Sequence, residues 1–197
     1  MIDAPPPVVL RVFPSDPTAF ADDLQPFAAS ILARHGAEEW RAAILTHECH
    51  GHLGVFSMLG VKMAVRAREM LNAPRHALNV LSHAGSTPPL SCMNDGLQVA
   101  SGATLGRGTI RVAEGEPRAA ADFIRDGDRV TLRVREAVLA QVRAAMGEVR
   151  DRVPCGAPGH DAEMRRVAIG FWLELDRAAV FEETIDRCSD VAPLSNS

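Results

Sequence analysis

Residues 50–63 read HGHLGVFSMLGVKM and open the most regular helical pattern of the chain. From Phe56 to Leu71 apolar residues recur at intervals of three and four, with charged residues between them, and Pro74 follows the pattern. That spacing is typical of an amphipathic helix with one face in the core. The histidines at positions 50 and 52 therefore stand directly before a helix that the core holds in place.

The segments before this helix predict an extended arm followed by two further helices. Five prolines within residues 1–17 favour extended backbone. Residues 18–34 again carry apolar side chains at helical intervals, and Pro26 inside this pattern indicates either a kink or a later start. Gly36 separates this helix from a second one, which we predict over residues 37–47.

The rest of the chain alternates short strands with helices. The predicted strands are 77–83, 108–113, 118–124 and 129–135, and the predicted helices are 93–101, 136–150 and 160–176. Turns at Gly115 and Gly127 join the last three strands, and turns this short indicate antiparallel neighbours. We therefore expect an α+β fold, with a small antiparallel sheet and helices packed on one face.

Length and composition predict one core domain with short extensions. The chain has 197 residues, of which 47% are hydrophobic, and this supplies enough apolar mass for a core. We predict an extended N-terminal arm over residues 1–17, a core domain over 18–190 and a flexible tail over 191–197. The net charge of −4 argues against a sequence-independent grip on nucleic acid.

Targeting signals and disulfides are not expected either. No apolar run approaches the roughly 20 residues that a membrane span needs, and the N-terminus does not follow the pattern of a signal peptide. We expect a cytoplasmic protein that does not contact membranes. Its cysteines at positions 49, 92, 155 and 188 form no C-x-x-C pair, and we interpret them as reduced thiols.

The first cluster of chemically active residues contains His50 and His52. A single glycine separates them, so both imidazoles can face the same way in an extended or turn conformation. The positive end of the following helix disfavours imidazolium, which keeps the rings in the neutral form that binds metals. On spacing alone, a surface histidine beside a capping one remains an equal alternative.

The second cluster is a helical face that carries Cys92, Asp95 and Gln98 at intervals of three. These side chains could present a thiolate, a carboxylate and an amide to one pocket. Together with His50 and His52, the thiolate would hold a divalent ion and leave an open coordination position, as in catalytic sites. The structural alternatives are a small buried hydrophobe for Cys92 and a helix cap for Asp95.

The two clusters, in this order, resemble the E-subunit family of formylmethanofuran dehydrogenase. The first is similar to that family's F-H-G-H-L-[CG]-P stretch, which leads into a helix. The second, CMNDGLQVASGATLGRGTI at residues 92–110, is similar to its C-x-x-D-[AG]-[IL]-Q-x-x-[ST]-G-x-T-x-G-[KR]-G segment. The resemblance covers residues 40–134, and weaker similarity continues over residues 172–183.

The resemblance implies specific roles for the matched residues. The metal ligands would be His50, His52 and Cys92. The catalytic residues would be Asp95, as a general base or alternatively a fourth ligand, and Gln98, whose amide would orient the substrate. The cofactor-binding residues would be Thr104, Gly106 and Arg107. Four features depart from the family: Val55 replaces a proline, Arg107 replaces a frequent lysine, a cysteine common just after Gly102 is absent, and the cysteine-rich zinc ribbon of many relatives is missing. The glycines of this segment could also be plain turn residues. A Walker phosphate loop is disfavoured because its lysine is missing.

The function implied is that of a metal-dependent enzyme acting on a small polar molecule in one-carbon or cofactor metabolism. Zinc suits the nitrogen and sulfur ligands best, with nickel or iron as alternatives. The family and the apolar stripes of helices 18–34 and 160–176 imply a homodimer. The alternative function is a non-catalytic accessory protein that binds a metal or cofactor and delivers it to a partner. A deep cavity would favour catalysis, and a site beside an exposed apolar patch would favour delivery.

Overall fold

The structure, a computed structural model, describes residues 9–187 of the chain. The predicted tail and the first eight residues of the predicted arm lie outside this range. The helices are α1 (Gln25–His50), α2 (Val55–Met70), α3 (Met93–Ser101), α4 (Glu136–Arg152) and α5 (His160–Glu174). The strands are β1 (Asn79–Ser82), β2 (Ile110–Val112), β3 (Ala120–Arg125), β4 (Asp128–Val134) and β5 (Phe181–Asp186). The α+β class is confirmed, and no described helix is long and apolar enough to cross a membrane.

Helix α1 combines the two helices that the sequence predicts at the N-terminal end. It begins at Gln25 with Pro26 in its first turn, where the missing N–H of proline has no helical partner to lose. The later start is therefore the correct alternative for this segment. Gly36 interrupts the helix with φ +81° and ψ 167°, and Gly51, with φ +82°, ends it directly after His50.

The described sheet has the strand order β2-β1-β3-β4-β5 and is mixed. Strand β1 runs parallel to β2 and antiparallel to β3. The expectation that the turn at Gly115 joins antiparallel neighbours is wrong, because β1 lies between the two strands. Backbone N–H groups of Ala113 and Arg118, on either side of that turn, donate to Ser82 and His83 at the end of β1.

The other strand pairs of the sheet agree with the sequence predictions in one case and differ from them in another. The turn at Gly127 does join antiparallel neighbours, β3 and β4, as predicted. Strand β5 pairs with β4 but was not predicted as a strand, since Phe181 is its only buried residue. A strand without alternating apolar residues gives no periodic signal in the sequence.

One face of the sheet forms the core. Val80, Phe123 and Val130 occupy the same register across β1, β3 and β4, and all three are buried. Helices α2 and α3 pack on this face. The predicted arrangement of helices on one face of the sheet is therefore confirmed.

Helices α2 and α3 cross in direct backbone contact. A Cβ atom at Gly60 would lie 2.2 Å from the carbonyl oxygen of Met93, and one at Gly96 would lie 2.1 Å from that of Ser57. Real Cβ atoms do not approach backbone so closely, so both positions require glycine. This crossing sets the first turn of α3, with Cys92 and Asp95, against the segment that precedes α2.

Much of the apolar surface on the two stripes that suggested a dimer is buried within the chain. Trp40 of α1 stacks on Trp172 of α5 with 5.2 Å between ring centroids. Ile31 is fully buried and Phe27 is 39% exposed, so little of the α1 stripe remains open. The stripes alone do not call for a second copy of the chain.

We predict opposite effects for two glycine-to-alanine substitutions. Gly60→Ala should lower the free energy of unfolding by about 1–3 kcal/mol, because the added methyl group forces α2 and α3 apart. The control Gly147→Ala lies in α4, where an added Cβ meets no atom within 4 Å, and should raise it by about 0.5–1 kcal/mol through helix propensity. Urea denaturation measures both, and equal effects would contradict the close crossing.

Candidate functional site

A cavity of about 630 Å³ lies where the link between α1 and α2 meets the start of α5. His50, His52 and Cys92, the three predicted metal ligands, all line it. The other polar lining residues are His160, Asp161 and Arg165, which come from the first two turns of α5. The tertiary structure thus brings Cys92 of the second cluster to the same cavity as the histidine pair.

His50 is held by a carboxylate on its far side. Its Nδ1 lies 2.6 Å from Oδ2 of Asp95, and its side chain is 10% exposed. The ring therefore donates its Nδ1 proton to Asp95, and in the neutral form of the ring Nε2 would carry the lone pair. That Nε2 is buried and has no hydrogen-bond partner among the described residues. A histidine backed by a carboxylate in this way is the arrangement that metal-ligating histidines usually show.

His52 lies beside His50 with 4.3 Å between ring centroids. Partial burial lowers the pKa of His52, although the nearby Asp161 carboxylate acts in the opposite direction, so the net shift favours the neutral ring. A Cβ at Gly54 would lie 3.3 Å from Nε2 of His52, so glycine leaves room for this ring. His50 itself is the last residue of α1, and the argument from a helix N-terminus does not apply to it.

Cys92 lines the cavity without completing a metal cluster. Burial raises the pKa of its thiol, and the Asp95 carboxylate raises it further. Within residues 9–187, no three side chains of His, Cys, Asp or Glu are placed close enough together to hold a metal ion. The three predicted ligands share a cavity in this structure, and the metal stays a prediction.

The remaining predicted residues of the second cluster lie outside the cavity lining. Gln98 accepts a hydrogen bond from the backbone N–H of Leu105 at 3.1 Å, so its amide fastens α3 to the next turn. Thr104 accepts one from the N–H of Arg107, and Gly106 and Arg107 are exposed on that turn. The catalytic role of Gln98 and the cofactor role of the other three residues stay predictions.

His160 is a lining residue that the sequence analysis did not place in the site. Its Nδ1 donates to the carbonyl oxygen of Val153 at 2.7 Å, and its Nε2 lies 3.7 Å from Sγ of the exposed Cys155. Both ring nitrogens are therefore engaged within the loop before α5. A histidine just after a Pro/Gly break was the available signal, but nothing local shows that α5 reaches the histidine pair.

His47, one turn before His50, is buried against Trp172 with 5.9 Å between ring centroids. Burial lowers the pKa of His47 from its ordinary 6.5 to about 4. The ring is therefore neutral at neutral pH and forms part of the packing behind the cavity.

Comparison with known protein families identifies one match. Residues 49–186 match the family model described as "FmdE, Molybdenum formylmethanofuran dehydrogenase operon". The matched range includes the histidine pair, Cys92 and the whole of α5. No curated protein matches the chain significantly.

We predict that His47 makes the protein sensitive to acid. The unfolded chain takes up this proton near pH 6.5 and the folded chain only near pH 4, so stability is complete above pH 6.5 and falls as the pH drops towards 4. The loss is at most about 3 kcal/mol, from 1.36 kcal/mol per pKa unit. Urea midpoints at pH 7.5 and 4.5 measure it, and His47→Gln should flatten the dependence. An unchanged slope in that variant would contradict the prediction.

Proposed function

The chain belongs to the FmdE family, and from this membership we propose that it is a metal-binding protein with a role related to formylmethanofuran dehydrogenase. More specifically, it is a metal-dependent enzyme that acts on a small polar molecule in one-carbon or cofactor metabolism. We further propose a cytoplasmic location.

The observation that carries the proposal is the buried, unpartnered Nε2 of His50. Leaving a buried polar atom without a partner costs free energy unless a ligand satisfies it. Asp95 fixes the tautomer that leaves this lone pair free, and the neutral His52 ring lies beside it. This chemistry suits a divalent transition ion.

His50 and His52 would hold the ion through nitrogen, and Cys92 would add a thiolate after the loss of its proton. Zinc suits this set best, with nickel or iron as alternatives. When bound, such an ion acts as a Lewis acid that polarises a substrate or activates water. Asp95 would orient His50 and raise the basicity of its ring.

The cavity favours catalysis over the alternative of metal delivery to a partner enzyme. Its volume of about 630 Å³ falls within the range of small-molecule sites. A delivery protein would be expected to expose an apolar patch beside the metal. The large apolar side chains that are exposed within the described part of the chain do not line this cavity; they are Val9, Leu10, Val12, Phe27, Leu105, Val112 and Ile185.

We predict that the purified protein binds one divalent transition ion per chain. His52→Ala should lower zinc affinity at least tenfold and leave the urea midpoint unchanged, because His52 is exposed and contributes little burial. Elemental analysis and zinc titration measure these effects. Occupancy should fall as the pH drops below the histidine range, since protons compete for the ligands.

Two further variants sharpen this test. Cys155→Ser, the matched control, should keep the metal, because the Cys155 thiol contacts His160 outside the proposed ligand set. Asp95→Asn should weaken zinc binding about 10–100-fold if it orients His50, abolish it if Asp95 is a ligand, and spare it but abolish activity if Asp95 is a base. If the purified protein binds none of zinc, nickel and iron at neutral pH, the metal proposal is wrong.

We also propose that the chain forms a homodimer, as the resemblance to the family implies. Ile31 of α1 and Trp172 of α5 are buried within the chain, so this proposal rests on the family relationship. Light scattering over a wide dilution series should give the mass of two chains. The mass of a single chain at every concentration would contradict it.

A further inference from the structure

A second cavity of about 410 Å³ adjoins the histidine cavity. Phe56, Pro89 and Met146 line both of them. The two spaces therefore share a wall, and one elongated molecule could contact residues of both.

One face of α4 runs along the second cavity. Its lining residues Glu136, Leu139, Arg143, Met146 and Arg150 follow one another at intervals of three and four. Such residues lie on the same side of a helix. Since Met146 also lines the histidine cavity, this helix face connects the two.

The second cavity is rich in positive charge although the chain as a whole is acidic, with a net charge of −4. Two glutamates, Glu136 and Glu182, also line it. We call the second cavity the arginine groove, because four arginines line it: Arg118, Arg133, Arg143 and Arg150. The charged lining residues thus carry a surplus of positive charge.

The glutamates are engaged with two of these arginines. Arg143 donates to Glu136 at 2.7 Å, and Arg133 lies 3.9 Å from Glu182. Exposed ion pairs of this kind contribute little to stability. The two ion pairs nevertheless partly neutralise the charges of Arg133 and Arg143 and hold both guanidinium groups beside the groove.

The other two arginines are not paired directly with a carboxylate. Arg118 donates to Nδ1 of His83 at 3.2 Å, and the carboxylate of Asp122 lies on the far side of that ring, 3.2 Å from Nε2. The guanidinium group of Arg150 makes no hydrogen bond or ion pair with any residue in the described range 9–187. Their guanidinium groups are available to a ligand.

We propose that the arginine groove binds an anionic group of the substrate whose reacting end enters the histidine cavity. This inference rests on the proposed function for the identity of the substrate, but binding at the groove can be measured alone. Planar guanidinium groups bind carboxylate or phosphate oxygens in a bidentate manner. The substrate class is therefore an elongated small molecule with a polar reactive end and a carboxylate or phosphate tail.

The experiment titrates the full-length, metal-free chain with pyrophosphate and, separately, with glutarate at low ionic strength, followed by calorimetry. Low salt is needed because exposed charges are screened. We expect saturable binding of at least one probe. Preference for pyrophosphate would identify a phosphate tail, and preference for glutarate a carboxylate tail.

Matched arginine variants locate the binding. Arg150→Gln and Arg118→Gln should each lower the affinity for the bound probe at least tenfold. The control Arg129→Gln removes an exposed arginine from β4, the strand that carries Arg133, outside both cavities, and should leave the affinity unchanged. The proposal of anion binding at the groove would be contradicted if Arg150→Gln and Arg129→Gln lowered the affinity equally. It would also be contradicted if neither probe bound at about 10 mM.

The result can be separated from the metal proposal. Zinc titration of Arg150→Gln should match the unaltered chain, and His52→Ala should keep its affinity for the anionic probe. If no metal binds but the probe does, the proposed function falls and the groove stands. If zinc binds but neither probe does, the groove falls and the metal site stands.

Discussion

The backbone contact between α2 and α3 at Gly60 and Gly96 is the constraint on which the rest of the site depends. Neither position tolerates a Cβ atom, because an added Cβ would lie little more than 2 Å from a carbonyl oxygen of the other helix segment. The absence of both Cβ atoms allows the backbones of α2 and α3 to meet. It also carries Asp95 to the end of α1, where the carboxylate meets His50. Even a small displacement of α3 would remove that hydrogen bond, because hydrogen bonds are short and directional.

A buried ion cluster fixes the other side of α2. Lys62, the single lysine of the chain, is fully buried and donates to Glu39 of α1 at 2.5 Å. Arg177, after α5, donates to the second oxygen of Glu39 and also to Glu69. Buried charges are tolerated only when they are paired in this way. Because the cluster joins α1, α2 and the segment after α5, it aligns the three helices that surround the histidine cavity.

The site therefore combines a histidine that is held in place with a ring nitrogen that has no partner. Asp95 and the helix crossing hold His50, while the unpartnered Nε2 remains free for a ligand. The arginine groove continues from this cavity along α4 through Met146. The proposed elongated substrate would place its reactive end in the histidine cavity and its anionic tail in the arginine groove.

Local sequence determined most of the elements and the two clusters of the site. Helix α2, helix α3 and the β3–β4 hairpin follow from periodicity and turn residues, which act between neighbours along the chain. Only the tertiary structure decided that β1 lies between β2 and β3, since strand order depends on pairing between distant segments. It also decided that Asp95 backs His50 while Gln98 holds the Leu105 turn. Spacing places such side chains on one helix face, but the partner of each depends on which distant segment packs against that face.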